Sequence, residues 1–344
     1  MVNVNYRIVI RPLTIIVAII FFLFCLSPFI SLLSSKKYRN RAYIDLTYRV
    51  IANKEARLAK SKEDIILRFF DYANRHIFVP ERSVPGEANL LDYLVTGVGW
   101  CDHQANVFNK LLSKKDIPAR YVYLKDKEGV SPHTVSEVYF NNRWVIFDPQ
   151  DYLYFKLDDG NYATLNDISQ RPQIILSHVK LKSLETTDKD AYEGSKVFWQ
   201  RLFPLPMEPE RSAPWTERNS IFTEILDLYV TCFGKRFINA YQDIYLRLTL
   251  APIKQIDYRL FFAARNYQIY YRRDLAIDRY MSLIKNYPES KYSDDGLFFL
   301  ALLYIDIDHD YEMAKDTFHK LIVSYPGSEW LSIARNKIKE LDKN

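Results

Sequence analysis

Three residues in the middle of the chain have the types and the spacing for nucleophilic acyl transfer. Cys101 follows Gly97-Val98-Gly99-Trp100 and opens a segment in which Ala105, Phe108, Leu111 and Leu112 recur at helical spacing. A cysteine at such a helix start faces free backbone N–H groups and the positive end of the helix dipole. Both favour the thiolate, the nucleophilic form of the side chain. His133 opens one strand pattern and Asp148 closes another. A thiolate needs a base that moves its proton, and the base needs a partner that orients it.

The elements around these residues must bring them together. Thr134–Phe140 alternates as a strand, Asn141-Asn142 is a hairpin turn signal, and Arg143–Phe147 reads as the partner strand, ending at Asp148-Pro149. Pairing about that turn sets residue 133 opposite roughly residue 150, so His133 and Asp148 are expected as neighbours at one end of the sheet. Ile117-Pro118-Ala119-Arg120 closes the cysteine helix and leads into a strand over 121–124. Residues 40–77 read as helical up to Val79-Pro80, and 86–99 as a short helix with a loop. The backbone N–H of Cys101 is one candidate oxyanion donor, and Trp100 and Gln104 are both candidates for shaping the cleft. His103 reads as a solvated helix residue, with the cleft as its alternative place. Cys232 reads as a packed small hydrophobe and Cys25 as a membrane residue. Neither Cys-x-x-Cys nor His-x-x-x-His occurs, so no metal site and no cofactor is expected.

Several short patterns occur in a fixed order: Gly-x-Cys-x-x-x-Ala-x-x-Phe-x-x-Leu-Leu, then Ile-Pro-Ala-Arg, then a histidine followed by Glu-Val-Tyr, then Trp-Val-x-Phe-Asp-Pro. Together they resemble the transglutaminase-like domain, over about residues 60–155 of the sequence. The resemblance implies a papain-like α+β core and a Cys-His-Asp triad at Cys101, His133 and Asp148. An aromatic residue common two positions after the family's histidine is Val135 here. The implied chemistry is acyl transfer through a cysteine thioester on a protein or peptide substrate. Water as acceptor gives peptide or amide hydrolysis, the favoured outcome, and an amine gives cross-linking. The alternative is a catalytically silent scaffold whose repeats recruit a partner.

Those repeats occupy the C-terminal third. At an offset of 38 residues Ala276 meets Ala314, Tyr280 meets Phe318, and Leu283 meets Leu321. Tyr287-Pro288-Glu289-Ser290 likewise meets Tyr325-Pro326-Gly327-Ser328. Such self-similarity signals a helical solenoid, and the pattern resembles tetratricopeptide repeats lengthened from about 34 residues. Residues 329–342 read as a capping helix, and 216–256 as a further degenerate helix pair. A solenoid of this type is expected to bind a protein partner.

The N-terminus reads differently. From Pro12 to Ser35 no residue is charged, which suits one transmembrane helix, with a cleaved signal peptide as its rival. The flanking basic residues favour a cytoplasmic body, whereas the Tyr-Pro-x-Ser repeats resemble those of envelope proteins and favour an extracytoplasmic, periplasmic-side one. Four prolines between 204 and 214 mark a linker. The expected organisation is an anchor at 12–35, a transglutaminase-like domain at 40–200, a Pro-rich linker at 201–215 and a repeat domain at 216–344. The net charge of +5, with no basic cluster beyond the anchor flanks, excludes a nucleic-acid binder from the expectation. Three cysteines cannot form a disulfide framework.

Overall fold

The computed structural model describes residues 14–17, 19, 26–79, 89–125, 128–171, 209–214 and 221–343. Two compact units divide the chain. One comprises Met1–Leu46 with Arg218–Lys254, the other Thr47–Glu217 with Gln255–Asn344.

In the first unit the helical residues 26–33 and the first turns of α1 (Lys36–Arg57) pack with α6 (Ile221–Leu250). Phe29 meets the Phe237 ring edge-on at 5.7 Å, Ser31 and Tyr241 share a hydroxyl hydrogen bond of 2.6 Å, and Tyr43 stacks on Tyr245. The expected helix pair over 216–256 is present as the two helical segments of α6, which meet at a break at Gly234, where φ is +51°. Part of the expected span over 12–35 lies outside the described residues. Its described part holds Leu32 fully buried, and among the described residues no helix is long and apolar enough to cross a membrane.

The second unit holds the sheet. The expected helix over 40–77 is two: α1 stops at Arg57, and α2 (Lys62–His76) restarts where the Ser61 side chain accepts the Asp64 N–H. A serine there satisfies one of the donors that a helix start leaves open. Next come α3 (Leu90–Thr96) and α4 (Cys101–Ser113). The strands β1 (Ala119–Leu124), β2 (His133–Phe140), β3 (Arg143–Asp148), β4 (Leu153–Tyr154) and β5 (Glu210–Arg211) form one antiparallel sheet in the order β4-β3-β2-β1-β5. Asn141 and Asn142 both take positive φ, as a tight hairpin turn requires. Of the expected linker only 209–214 is described, and Glu210–Arg211 there adds the edge strand.

Both faces of the sheet are covered. Val122, Leu124, Val135, Ile146, Leu153 and Phe155 build a core with α5 (Leu165–Gln170). Phe147 of β3 meets Phe108 of α4 and Phe70 of α2 edge-on, which ties the cysteine helix to the sheet. The motif residues Arg120 and Glu137 face each other in the β1–β2 register, where Arg120 and Arg211 both donate to the buried Glu137 carboxylate.

The repeats follow as α7 (Ile256–Ile269), α8 (Arg273–Asn286), α9 (Ser293–Leu303), a π-helical turn (Tyr304–Asp308), α10 (Tyr311–Ser324) and α11 (Leu331–Leu341). The offset of 38 is structural. Ala276 and Ala314 are both fully buried, Tyr271 and His309 both take positive φ, and the Tyr287–Ser290 turn hydrogen bond recurs between Tyr325 and Ser328.

Candidate active site

The helix α4 begins at Cys101 itself, so the Cys101 N–H lies in the first turn, where a helix leaves its N–H groups without intrahelical acceptors. The approach to that helix is narrow. Gly97 takes φ +66° and ends α3, with its N–H on the Tyr93 carbonyl. Phe78 N–H donates to the Gly97 carbonyl and Gly99 N–H to the Phe78 carbonyl. A Cβ on Gly99 would stand 2.7 Å from that of His103, so the chain has room for glycine alone. The Trp100 N–H then donates to His103 Nδ1 at 3.0 Å, and His103 stacks on Tyr93. His103 is therefore a half-buried capping residue of this loop. Its expected place as a solvated helix residue is corrected by the Tyr93 ring that covers it.

His133 and Asp148 lie side by side. Phe140 pairs with Arg143 and Ser136 with Phe147, and the same register carried outward brings residue 133 opposite 150. His133 Nε2 and Asp148 Oδ2 are 2.7 Å apart, both residues are buried, and the Cys101 sulfur lies within hydrogen-bonding reach of the imidazole. Burial disfavours a charged imidazole. The Asp148 charge and the hydrogen bonds to Asp148 and Cys101 outweigh it, so the His133 pKa is raised well above the ordinary histidine value.

The turn after Asp148 is fixed from two sides. Asp148 Oδ1 accepts the Asp151 N–H, and Asn74 of α2 donates from one amide nitrogen to the Pro149 and Gln150 carbonyls. Asp151 is the residue that sequence spacing did not single out. With His133 and Asp148 it presents three ligand atoms within 4.8 Å of one another, a geometry that could hold a metal ion. An ion there would compete for the His133 nitrogen and the Asp148 oxygen that already bond each other, so the donor set fits a proton relay better.

Of the two residues considered for the cleft, Trp100 is 44% exposed and stands beside Cys101. Gln104 is buried, with its amide nitrogen on the Ile77 carbonyl. Cys101 is half-buried, whereas Cys232 is exposed on α6, which corrects its expected packing: the helix turns that residue outward from the Leu226 and Tyr229 side.

A helix-borne cysteine beside a strand-borne histidine–carboxylate pair, on a small antiparallel sheet, defines a thiol-centred site of the α+β kind. A family model described as the transglutaminase-like superfamily matches residues 46–149, ending one residue beyond Asp148. A tetratricopeptide-repeat model matches residues 295–328, which span α9, the π-helical turn and α10. The chain thus carries a transglutaminase-like domain, from a superfamily usually built of cysteine-based enzymes, followed by a tetratricopeptide repeat. No curated protein and no solved structure matches the chain.

Proposed function

We propose that the protein is a cysteine-dependent acyl-transfer enzyme that hydrolyses peptide or amide bonds in a protein substrate. One observation carries this reading: Cys101, at a helix N-terminus, stands beside a buried His133 that Asp148 holds at 2.7 Å. In this scheme the Cys101 thiolate attacks a carbonyl carbon, and its first-turn N–H groups face the oxyanion that forms. The His133 imidazolium gives its proton to the leaving amine, and Asp148 keeps the ring in place. Water, deprotonated by His133, then cleaves the thioester.

The repeats support a protein partner, the uncharged run 12–35 supports a membrane anchor, and the Tyr-Pro-x-Ser form of the repeats supports a body on the extracytoplasmic side. Incubation of wild type and Cys101→Ala with candidate envelope proteins, read by mass spectrometry, tests the reading. New termini or deamidated side chains with wild type alone are the expected result. New amine-linked products would replace hydrolysis by cross-linking. Identical spectra from both proteins, across substrates that bind the repeats, would leave the scaffold.

A further inference from the structure

The repeats reach the nucleophile loop through buried contacts. Arg265 of α7 is 2% exposed. Its Nη2 and Nε donate to the Leu94 and Val95 carbonyls at 2.6 and 2.8 Å. These carbonyls belong to the last turn of α3, where a helix leaves its oxygens open and where a cation is favoured. The third arm, Nη1, donates to Gln268 Oε1 at 2.7 Å, and the Tyr280 hydroxyl of α8 donates to the same oxygen. Gln268 donates its own amide N–H to the Phe299 carbonyl. The Phe299 ring lies 3.7 Å under the guanidinium and closes on Gly97, where a Cβ would come within 2.5 Å of it.

Only Thr96 to Trp100 separate these anchors from Cys101. Most of that stretch is held: Gly97 by Phe78 with the Phe299 ring against it, Gly99 by Phe78, and Trp100 by His103. Two of the holds, at α3 and at Gly97, come from residues more than 160 positions downstream. Loss of either would let α3 and the glycine segment shift, and the cysteine would move relative to the histidine fixed on the sheet.

We propose that Arg265, with Gln268, Tyr280 and Phe299, forms a mounting for the nucleophile loop, so that the repeat helices set the position of Cys101 and are not only a recruitment arm. Arg265 is a positioning residue in this proposal, which rests on the reading of Cys101 as the nucleophile.

The test follows alkylation of Cys101 by iodoacetamide in the full-length chain, resolved by peptide mass spectrometry so that Cys232 and Cys25 do not contribute. Arg265→Lys keeps the charge but cannot span two carbonyls and an amide. It should slow Cys101 alkylation at neutral pH by about tenfold and move the midpoint of the pH–rate profile upward, because thiolate reactivity depends on the partners of the sulfur. Tyr280→Phe, which removes one hydroxyl and keeps the ring, should move the midpoint in the same direction by less. A role confined to stability would lower the melting temperature and leave the midpoint in place. If Arg265→Lys folds with a wild-type midpoint, or if it fails to fold and Tyr280→Phe gives a wild-type midpoint, the mounting is refuted while the catalytic reading stands. If wild-type alkylation is itself slow and independent of His133, the catalytic reading fails first and this inference with it.

Discussion

At His133 two opposing effects meet. Burial penalises the charged ring, and the Asp148 carboxylate with the Cys101 hydrogen bond restores it, so the folded-state pKa lies above the unfolded one. The stabilisation from this pairing is therefore complete below about pH 6.5, where an unfolded histidine is itself protonated. It is lost as pH rises through the folded value. Thermal melts of wild type and His133→Ala should accordingly differ most near about pH 6 and converge as pH rises through about 11, leaving the pH-independent packing loss. A gap that widens with pH would contradict the ion-pair account. Asp148→Asn should keep the fold and lower the acyl-transfer rate by on the order of 10²–10⁴-fold, because the imidazole loses its orienting charge. Steady-state kinetics with an unchanged far-UV spectrum would check this. The three residues were legible in the sequence because their placement is local: a helix start fixes Cys101, and a two-residue turn fixes His133 against Asp148. Asn74 and Asp151 were not, since Asn74 reaches the Pro149 carbonyl from a helix 75 positions upstream and nothing in either residue's spacing marks the contact.

At the scale of elements the hairpin and the cysteine helix follow the sequence pattern to within a residue or two, since alternation and the Asn141-Asn142 turn determine them. The break between α1 and α2 was hidden because Leu58-Ala59-Lys60-Ser61 holds neither proline nor glycine, and only the Ser61 cap marks the restart. The loop from Gly97 to Trp100 is the element most sensitive to change. Gly97→Ala meets both a left-handed backbone and the Phe299 ring. The backbone strain alone costs about 1–3 kcal/mol, and the overlap adds to it. Adding Phe299→Leu should recover the overlap and leave the strain, a non-additivity that denaturant melts of the single and double variants would reveal. In the repeats, Ala314→Leu should destabilise by about 1–3 kcal/mol, since Ala314 is fully buried at the contact between paired helices. An unchanged melting temperature would count against that packing.

For the whole molecule the sequence suggested a catalytic domain, a proline-rich linker and a separate repeat domain. In the structure Gln255–Asn344 shares one compact unit with Thr47–Glu217, and Arg218–Lys254 belongs to the other. The contacts that fuse the repeats to the sheet domain join residues far apart in sequence, such as Phe78 with Trp330 and Arg75 with Asp306, and periodicity carries no trace of them. A chain ending at Lys254 would bare Gly97 and Phe78 and leave the α3 carbonyls without Arg265. It should lose its cooperative thermal transition, and a wild-type melt would contradict the single-unit account. The central claim, that Cys101 is a nucleophile activated by His133, is tested most directly by the second-order rate of Cys101 alkylation against pH, in wild type and His133→Ala. A fast wild-type reaction at neutral pH that His133→Ala slows by at least tenfold is the predicted result. Slow alkylation with the same profile in both proteins would contradict it.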